Sequence, residues 1–256
     1  MLKKQTICLN MIVKDEADII LDTLNNLYSY IKFDYWVISD TGSTDNTKEI
    51  IKNFFNNKNI PGELVEHKWN DFGYNRTKAL ESAFNKTDYL FIFDADDKLK
   101  GDFILPPIMN KDSYELKIGE SFCYYRTLLI NNRKKWIFKG VLHEFICCIN
   151  DTNDCELIEG DYYVASCRSG NRSKQSNKYI NDAIILKNAF EKENKINSDH
   201  MLIGRYAFYC AQSYKDSGDE YILDSITWYK KVLELNNWDQ EKYYSCIMLG
   251  DLYNKL

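Results

Sequence analysis

Two carboxylates one residue apart, Asp94 and Asp96, stand directly after the apolar run Tyr89 to Phe93. Such a pair at the carboxyl end of a buried strand can share a hard divalent cation. Carboxylate oxygens suit Mg2+ or Mn2+ and leave positions for phosphate oxygens and water. A solvated acidic turn is the plain alternative, and for an isolated Asp-x-Asp it is the commoner one. A second acidic strand end favours the functional reading here. Asp40 closes the apolar run Tyr35 to Ser39, where its carboxylate can accept a hydrogen bond from a nucleobase or a ribose. The residues after it, Thr41 to Asp45, read as a strand-to-helix turn, with Gly42 permitting an unusual φ and Ser43 or Thr44 capping the next helix. Lys14-Asp15-Glu16 holds the matching place after the first apolar run, where the alternative is a helix's acidic first turn. No Gly-x-x-x-x-Gly-Lys-Ser/Thr or Gly-x-Gly-x-x-Gly occurs. Phosphate must then be held by a metal and by side-chain cations, without a glycine cradle.

These residues need a layered α/β scaffold, and the first hundred residues supply its pattern. Strands are expected at 6–13, 35–40, 62–66 and 89–93, with helices at 17–30, from 43 or 44 to 55, and at 74–84. The unbroken apolar run at 89–93 marks a central strand buried on both faces. From about 113 to 164 the pattern changes to short Tyr-, Phe- and Ile-rich runs, read as mostly antiparallel strands of the same sheet. After 168–173 everything turns helical: 177–193, 201–217, 221–235 and 240 onward. Two regions are expected, 1–175 and 176–256.

The helical part carries a weak internal echo. Residues 210–214 and 249–253 both place a small residue ahead of Tyr, as in the first helix of a tetratricopeptide repeat. A plain helical subdomain is the other reading. The second unit stops before its partner helix, which points either to a shortened chain or to a dimer contact over the open face.

Composition bounds the rest. The 256 residues are 45% hydrophobic and 28% charged, with no apolar run near the roughly 20 residues of a membrane-spanning helix. Thirty-three Lys and Arg face 38 Asp and Glu, a net charge of -5, so no global basic field exists to hold a nucleic acid. Two lysines at 3 and 4 precede a short apolar run, but no small-residue cleavage site follows. A cytoplasmic location is expected, with the eight cysteines reduced. None forms Cys-x-x-Cys, and buried thiols are a better reading than a zinc site.

Five ordered segments, at 12–18, 39–47, 72–80, 93–97 and 141–144, together resemble the family 2 glycosyltransferases of GT-A fold, in the branch with C-terminal tetratricopeptide-like helices. The resemblance implies transfer of a sugar, with inversion, from a nucleoside diphosphate sugar such as a UDP-sugar to a hydroxyl of a carbohydrate or protein acceptor. By it, Ile12, Val13, Lys14 and Glu16 line the nucleotide pocket and Asp40 contacts the base. Arg76 contacts base or phosphate, and Asp94 and Ala95 face the ribose or metal. Asp96 is the principal ligand of Mn2+ or Mg2+, with Asp94 and His143 beside it. Inversion requires a base on the acceptor hydroxyl, and Glu144 matches that position. Were 141–144 a strand, its alternation would send His143 and Glu144 to opposite faces. Arg168 stands where the family often has a histidine, and with Arg172 it implies a cationic clamp or lid over the diphosphate. Thr77 replaces a common asparagine. Two other classes remain open: a catalytically silent adaptor that binds a partner through its helices, with the helical tail also a candidate homo-oligomer contact, and a nucleotidyltransferase, against which the missing glycine loop counts.

Overall fold

The structure, a computed structural model, describes residues 4–149, 152–196, 199–235 and 238–256, so Lys3 of the leader-like stretch lies outside the described residues. The chain divides into two compact units. One comprises Met1–Phe138 with Ile146–Lys174; the other comprises Gln175–Leu256 with the short segment Lys139–Phe145.

The first unit is built on a nine-stranded mixed sheet. Its parallel half contains β1 (Ile7–Val13), β2 (Tyr35–Asp40), β3 (Gly62–Glu66) and β4 (Tyr89–Ile92), in the order β3-β2-β1-β4. The order continues through β7 (Tyr124–Asn131), β6 (Ser113–Ile118), β11 (Tyr162–Ser166) and β5 (Asp97–Gly101), with β10 (Cys155–Leu157) beside β6. β7 runs antiparallel to β4 and β6, and β11 antiparallel to β5, but β10 and β11 both pair with β6 in parallel. The expected antiparallel half is therefore mixed.

Strand alternation accounts for the two faces of the sheet. Leu9, Met11, Ile38 and Phe91 join one core with residues of α1 (Ile20–Tyr30) and α2 (Thr47–Asn57). Their sequence neighbours Cys8, Val37, Leu90 and Ile92 join another with Leu80 and Ala83 of α3 (Phe72–Ala83). Helical spacing supplies the partners: Ile20, Leu24 and Leu27 on α1, and Ile51, Phe54 and Phe55 on α2. Fully burying side chains of this size contributes about 1.5–3 kcal/mol each. The polar exception, Asn10, is satisfied where it lies, its amide donating to the carbonyls of Val37 and Ala79.

The chain runs outward from β1 through β2 to β3, then returns to place β4 on the other side of β1. Ligands bind outside the carboxyl ends of strands at such a switch point. A separate two-stranded sheet joins β8 (Trp136–Lys139) to β9 (Phe145–Cys148). Thr77 of α3 receives the N–H of Phe138 at 2.9 Å, which fixes the end of β8.

In the second unit, α4 (Lys178–Ile196), α5 (His200–Ser217), α6 (Ile222–Glu234) and α7 (Asp239–Tyr253) pack in succession, each against the next. Ala211 and Tyr214 of the first repeat-like motif are buried, while Gly250 and Tyr253 of the second are exposed. The thiols differ from expectation: Cys8 and Cys210 are buried, Cys155, Cys167 and Cys246 are exposed, and the rest are half-buried. Among the described residues no helix is long and apolar enough to cross a membrane.

Candidate active site

The loops after β1 and β2 are stitched together by side chains expected to cap α2. Asp15 takes a left-handed backbone, φ 53°. Its N–H donates to Ser43 Oγ at 2.9 Å, and its carboxylate accepts the N–H of Thr44 at 2.7 Å. The N–H of Glu16 donates to Thr47 Oγ1, and that of Ala17 to Asp45. Neither Ser43 nor Thr44 is the N-cap, because α2 begins only at Thr47 with Asn46 before it. The pull of these bonds also delays α1 to Ile20, three residues after its expected start. Ile12 is half-buried, Val13 buried and Lys14 exposed.

Asp40 is 0% exposed. Its Oδ1 accepts the N–H groups of Gly42 and Ser43, both at 2.9 Å, which Gly42 permits by a φ of 109°. Its Oδ2 is buried with no hydrogen-bond partner. A buried carboxylate oxygen left unpaired is costly, which sets this atom apart from the bonded carboxylates around it. Asp94 lies beyond the end of β4, two strands away across β1, or about 10 Å at ordinary strand spacing.

Asp94 is gripped by two arginines. Arg76 of α3, 8% exposed, donates from Nη2 to Oδ1 at 2.5 Å, and Arg126 of β7 lies 3.4–3.5 Å from Oδ2. Arg76 is thus no surface helix arginine. Burial alone would raise the Asp94 carboxyl, but the guanidiniums of Arg76 and Arg126 outweigh it and hold it at about 2. Both oxygens face cations, so Asp94 differs from the freely shared metal ligand that the spacing suggests. Ala95 is buried, its carbonyl accepting from the Thr23 hydroxyl at 2.6 Å.

Asp96 has another environment. Its Oδ2 receives the N–H of Gly170 at 3.2 Å, and the next N–H, of Asn171, donates to Glu16 Oε2 at 3.3 Å. A side chain at Gly170 would meet Asp96 Oδ2 at 3.1 Å and Glu16 Oε1 at 3.2 Å, so the two carboxylates flank one point. Burial, with the charge of Asp96, pushes Glu16 up to about 7. Asp97 opens β5 instead of continuing a loop, and is 4% exposed; burial and the Asp94 charge push it to about 7 as well. The basic segment closes on this group: Lys174 pairs with Asp18 at 3.0 Å, and the Arg172 guanidinium lies 4.8 Å from the centre of the Phe72 ring. Arg168 is exposed, with φ 50°.

His143 and Glu144 belong to the second unit and sit in the loop between β8 and β9. The alternation expected of a strand does not apply to them, and His143 has a φ of 54°. Its ring stacks on Tyr209, centroids 3.9 Å apart. Among the described residues no group of three or more His, Cys, Asp or Glu is arranged to hold a metal ion by protein ligands alone.

The sequence profile described as glycosyl transferase family 2 matches residues 8–145, more than half of the chain. The chain belongs to glycosyl transferase family 2. Its mixed sheet with flanking helices is the α/β arrangement expected from the sequence. No curated protein matches it in sequence. Among solved structures it is similar to the mannosyltransferase PcManGT from Pyrobaculum calidifontis in complex with GDP-Man and Mn2+, at 12% identity and TM-score 0.49, over 98% of this chain and 86% of that one. It is also similar to S. aureus TarS 1-349 in complex with UDP, at 13% identity and TM-score 0.43, over 81% and 70%. Glucosyl-3-phosphoglycerate synthase from Mycobacterium tuberculosis, in complex with Mn2+, UDP and glucosyl-3-phosphoglycerate, matches at 16% identity and TM-score 0.30. Only 36% of this chain is matched there, and it spans 34% of that chain's length.

Three residues of this candidate site escaped the sequence reading. Arg126 lies in an aromatic run that reads as packing, yet β7 runs antiparallel to β4 with Leu129 opposite Phe91, which carries Arg126 to the level of Asp94. Asp97 was hidden by its two acidic neighbours. Gly170 could be found only by knowing that the chain returns to Asp96.

Proposed function

We propose that this chain is a metal-dependent inverting glycosyltransferase that moves a sugar from a UDP-sugar to a hydroxyl of a carbohydrate or protein acceptor. The observation that carries this reading is the unpartnered buried Oδ2 of Asp40 at the carboxyl end of β2. It offers an acceptor to a nucleobase N–H, at a distance from Asp94 that a nucleoside spans. Family membership supplies the reaction class.

In this reading Ile12, Val13, Lys14 and Glu16 border the base and ribose. Asp94, held ionised by Arg76 and Arg126, accepts a ribose hydroxyl, with the Ala95 backbone fixed beneath it by Thr23. Arg168 and Arg172 face the diphosphate. Asp96, with Glu16 beside it, fits Mn2+ or Mg2+, which one or two carboxylates hold while phosphate oxygens complete the shell; when bound, the ion neutralises charge on the departing diphosphate. Glu144 accepts the acceptor's proton as its oxygen attacks the anomeric carbon. The bond from that carbon to the diphosphate oxygen then breaks, releasing the nucleoside diphosphate.

The test is a thermal shift with UDP and GDP, each with and without Mn2+, followed by turnover on a panel of nucleotide sugars. A metal-dependent shift with UDP is expected, with turnover abolished in Asp96→Ala. A shift with GDP alone would reassign the base. No shift with either nucleotide would overturn the proposal.

A further inference from the structure

The segment 139–145 joins two strands, yet its bonds are those of a helix-bound loop. Lys139 Nζ pairs with Asp199 at 3.0 Å, the same aspartate that caps α5 by accepting the N–H groups of Met201 and Leu202. The N–H of Val141 donates to the Tyr206 hydroxyl at 3.1 Å. Arg205 Nε donates to the His143 carbonyl at 2.7 Å. The same guanidinium lies 5.4 Å from the centre of the Phe145 ring and 4.9 Å from that of Tyr209, on which His143 is stacked with planes 7° apart. Residues 139, 141 and 143 are thus each tied to α5 or its cap.

Backbone conformation shows why such ties are needed. Gly140 has a φ of 105° and His143 a φ of 54°. Positive φ is uncommon outside glycine, and at His143 it is held by the contacts just described. Glu144 follows directly, so its direction depends on the conformation held at 143.

We propose that Arg205 and Tyr206 are positioning residues for Glu144, acting through the loop 139–145. The inference rests on the reading of Glu144 as the base. Loosening either anchor lets residues 141–144 relax and displaces the carboxylate. Displacements near 1 Å at a reacting group cost about 100-fold in rate. Donor binding, read above at Asp40, Asp94 and Asp96, is unaffected.

The experiment uses the full chain with Tyr206→Phe, Arg205→Ala, Arg205→Lys and Glu144→Gln, measuring kcat, donor KM and the UDP thermal shift. Expected for Tyr206→Phe and Arg205→Ala is a kcat loss of about tenfold or more, with donor KM and the UDP shift unchanged. Arg205→Lys, which keeps a donor for the His143 carbonyl, recovers much of the Arg205→Ala loss. Tyr206→Phe removes one oxygen, so it remains informative should Arg205→Ala fail to fold. Wild-type kcat in both Tyr206→Phe and Arg205→Ala, with Glu144→Gln inactive, overturns the positioning role and leaves the base reading standing. Equal loss of kcat and UDP binding also overturns it, since that is general destabilisation. Full turnover in Glu144→Gln refutes the base reading itself.

Discussion

The two-arginine grip on Asp94 makes a quantitative prediction. The carboxyl is held at about 2 against an ordinary 3.8, a depression approaching two units. By linkage this contributes on the order of 2 kcal/mol to stability at pH 7. A depressed carboxyl stabilises the fold above its unfolded value of 3.8 and loses that contribution as pH falls through 2. The two cations share the work unequally: Arg76 is buried at 2.5 Å, and Arg126 is half-buried at 3.4–3.5 Å. Arg76→Met, which keeps much of the aliphatic stem, should cost about 3 kcal/mol, as for a broken buried pair. Arg126→Met should cost about 1 kcal/mol or less. Each guanidinium partly covers for loss of the other, so the double variant should exceed the sum by roughly 1 kcal/mol. Without either cation, burial drives the Asp94 pKa upward and the group is neutral at pH 4. The double variant's deficit against wild type should therefore shrink by about 2 kcal/mol or more between pH 7 and pH 4. Urea unfolding of the four proteins at both pH values measures this. A deficit that is the same at pH 4 and pH 7 would assign the loss to packing and refute the charge argument.

Two further outcomes follow from the same site. Glu16, raised from 4.5 to about 7, weakens the fold as pH climbs through that interval, because the native state holds its proton longer. Discounted for its partial exposure, Glu16→Gln should gain about 1 kcal/mol at pH 8 and nothing at pH 4 in metal-free buffer; a variant that melts lower than wild type at pH 8 contradicts this. Asp40→Asn keeps an oxygen for the Gly42 and Ser43 amides but puts an NH2 group where the unpartnered acceptor was. Loss of a hydrogen bond to a charged group should weaken nucleoside diphosphate binding about 10- to 100-fold, and an unchanged Kd for both UDP and GDP by calorimetry would remove Asp40 from the base site.

Most of the parallel half was legible because local pattern and global position agree there. The run at 89–93 is apolar on every residue and became β4 at the centre of the sheet, while Leu24 and Leu27, or Ile51 and Phe55, recur at the spacing that faces a helix inward. What failed was local chemistry with a distant alternative. Ser43 and Thr44 are good capping residues, but the amide and the carboxylate of Asp15 compete for the same groups, and no local pattern records that the β1 and β2 loops meet. Likewise the parallel pairing of β10 and β11 with β6 depends on crossovers that period-2 alternation does not encode.

The Asp-x-Asp pair shows the same limit within three residues. Spacing treats Asp94 and Asp96 as equivalent oxygens for one ion, yet their surroundings separate them. Asp94 meets Arg76 and Arg126, so it is ionised, fixed and suited to accepting a hydroxyl's hydrogen bond. Asp96 meets a single backbone amide and a second carboxylate, Glu16, that burial holds near neutrality. Of the two aspartates, Asp96 carries the less compensated negative charge, so the proposed cation is assigned to it, because the arginines have already met the charge of Asp94. The difference in their surroundings thus comes from α3 and β7, which deliver the two guanidiniums. Replacing those arginines should therefore alter the electrostatics of the motif even when both of its aspartates are kept.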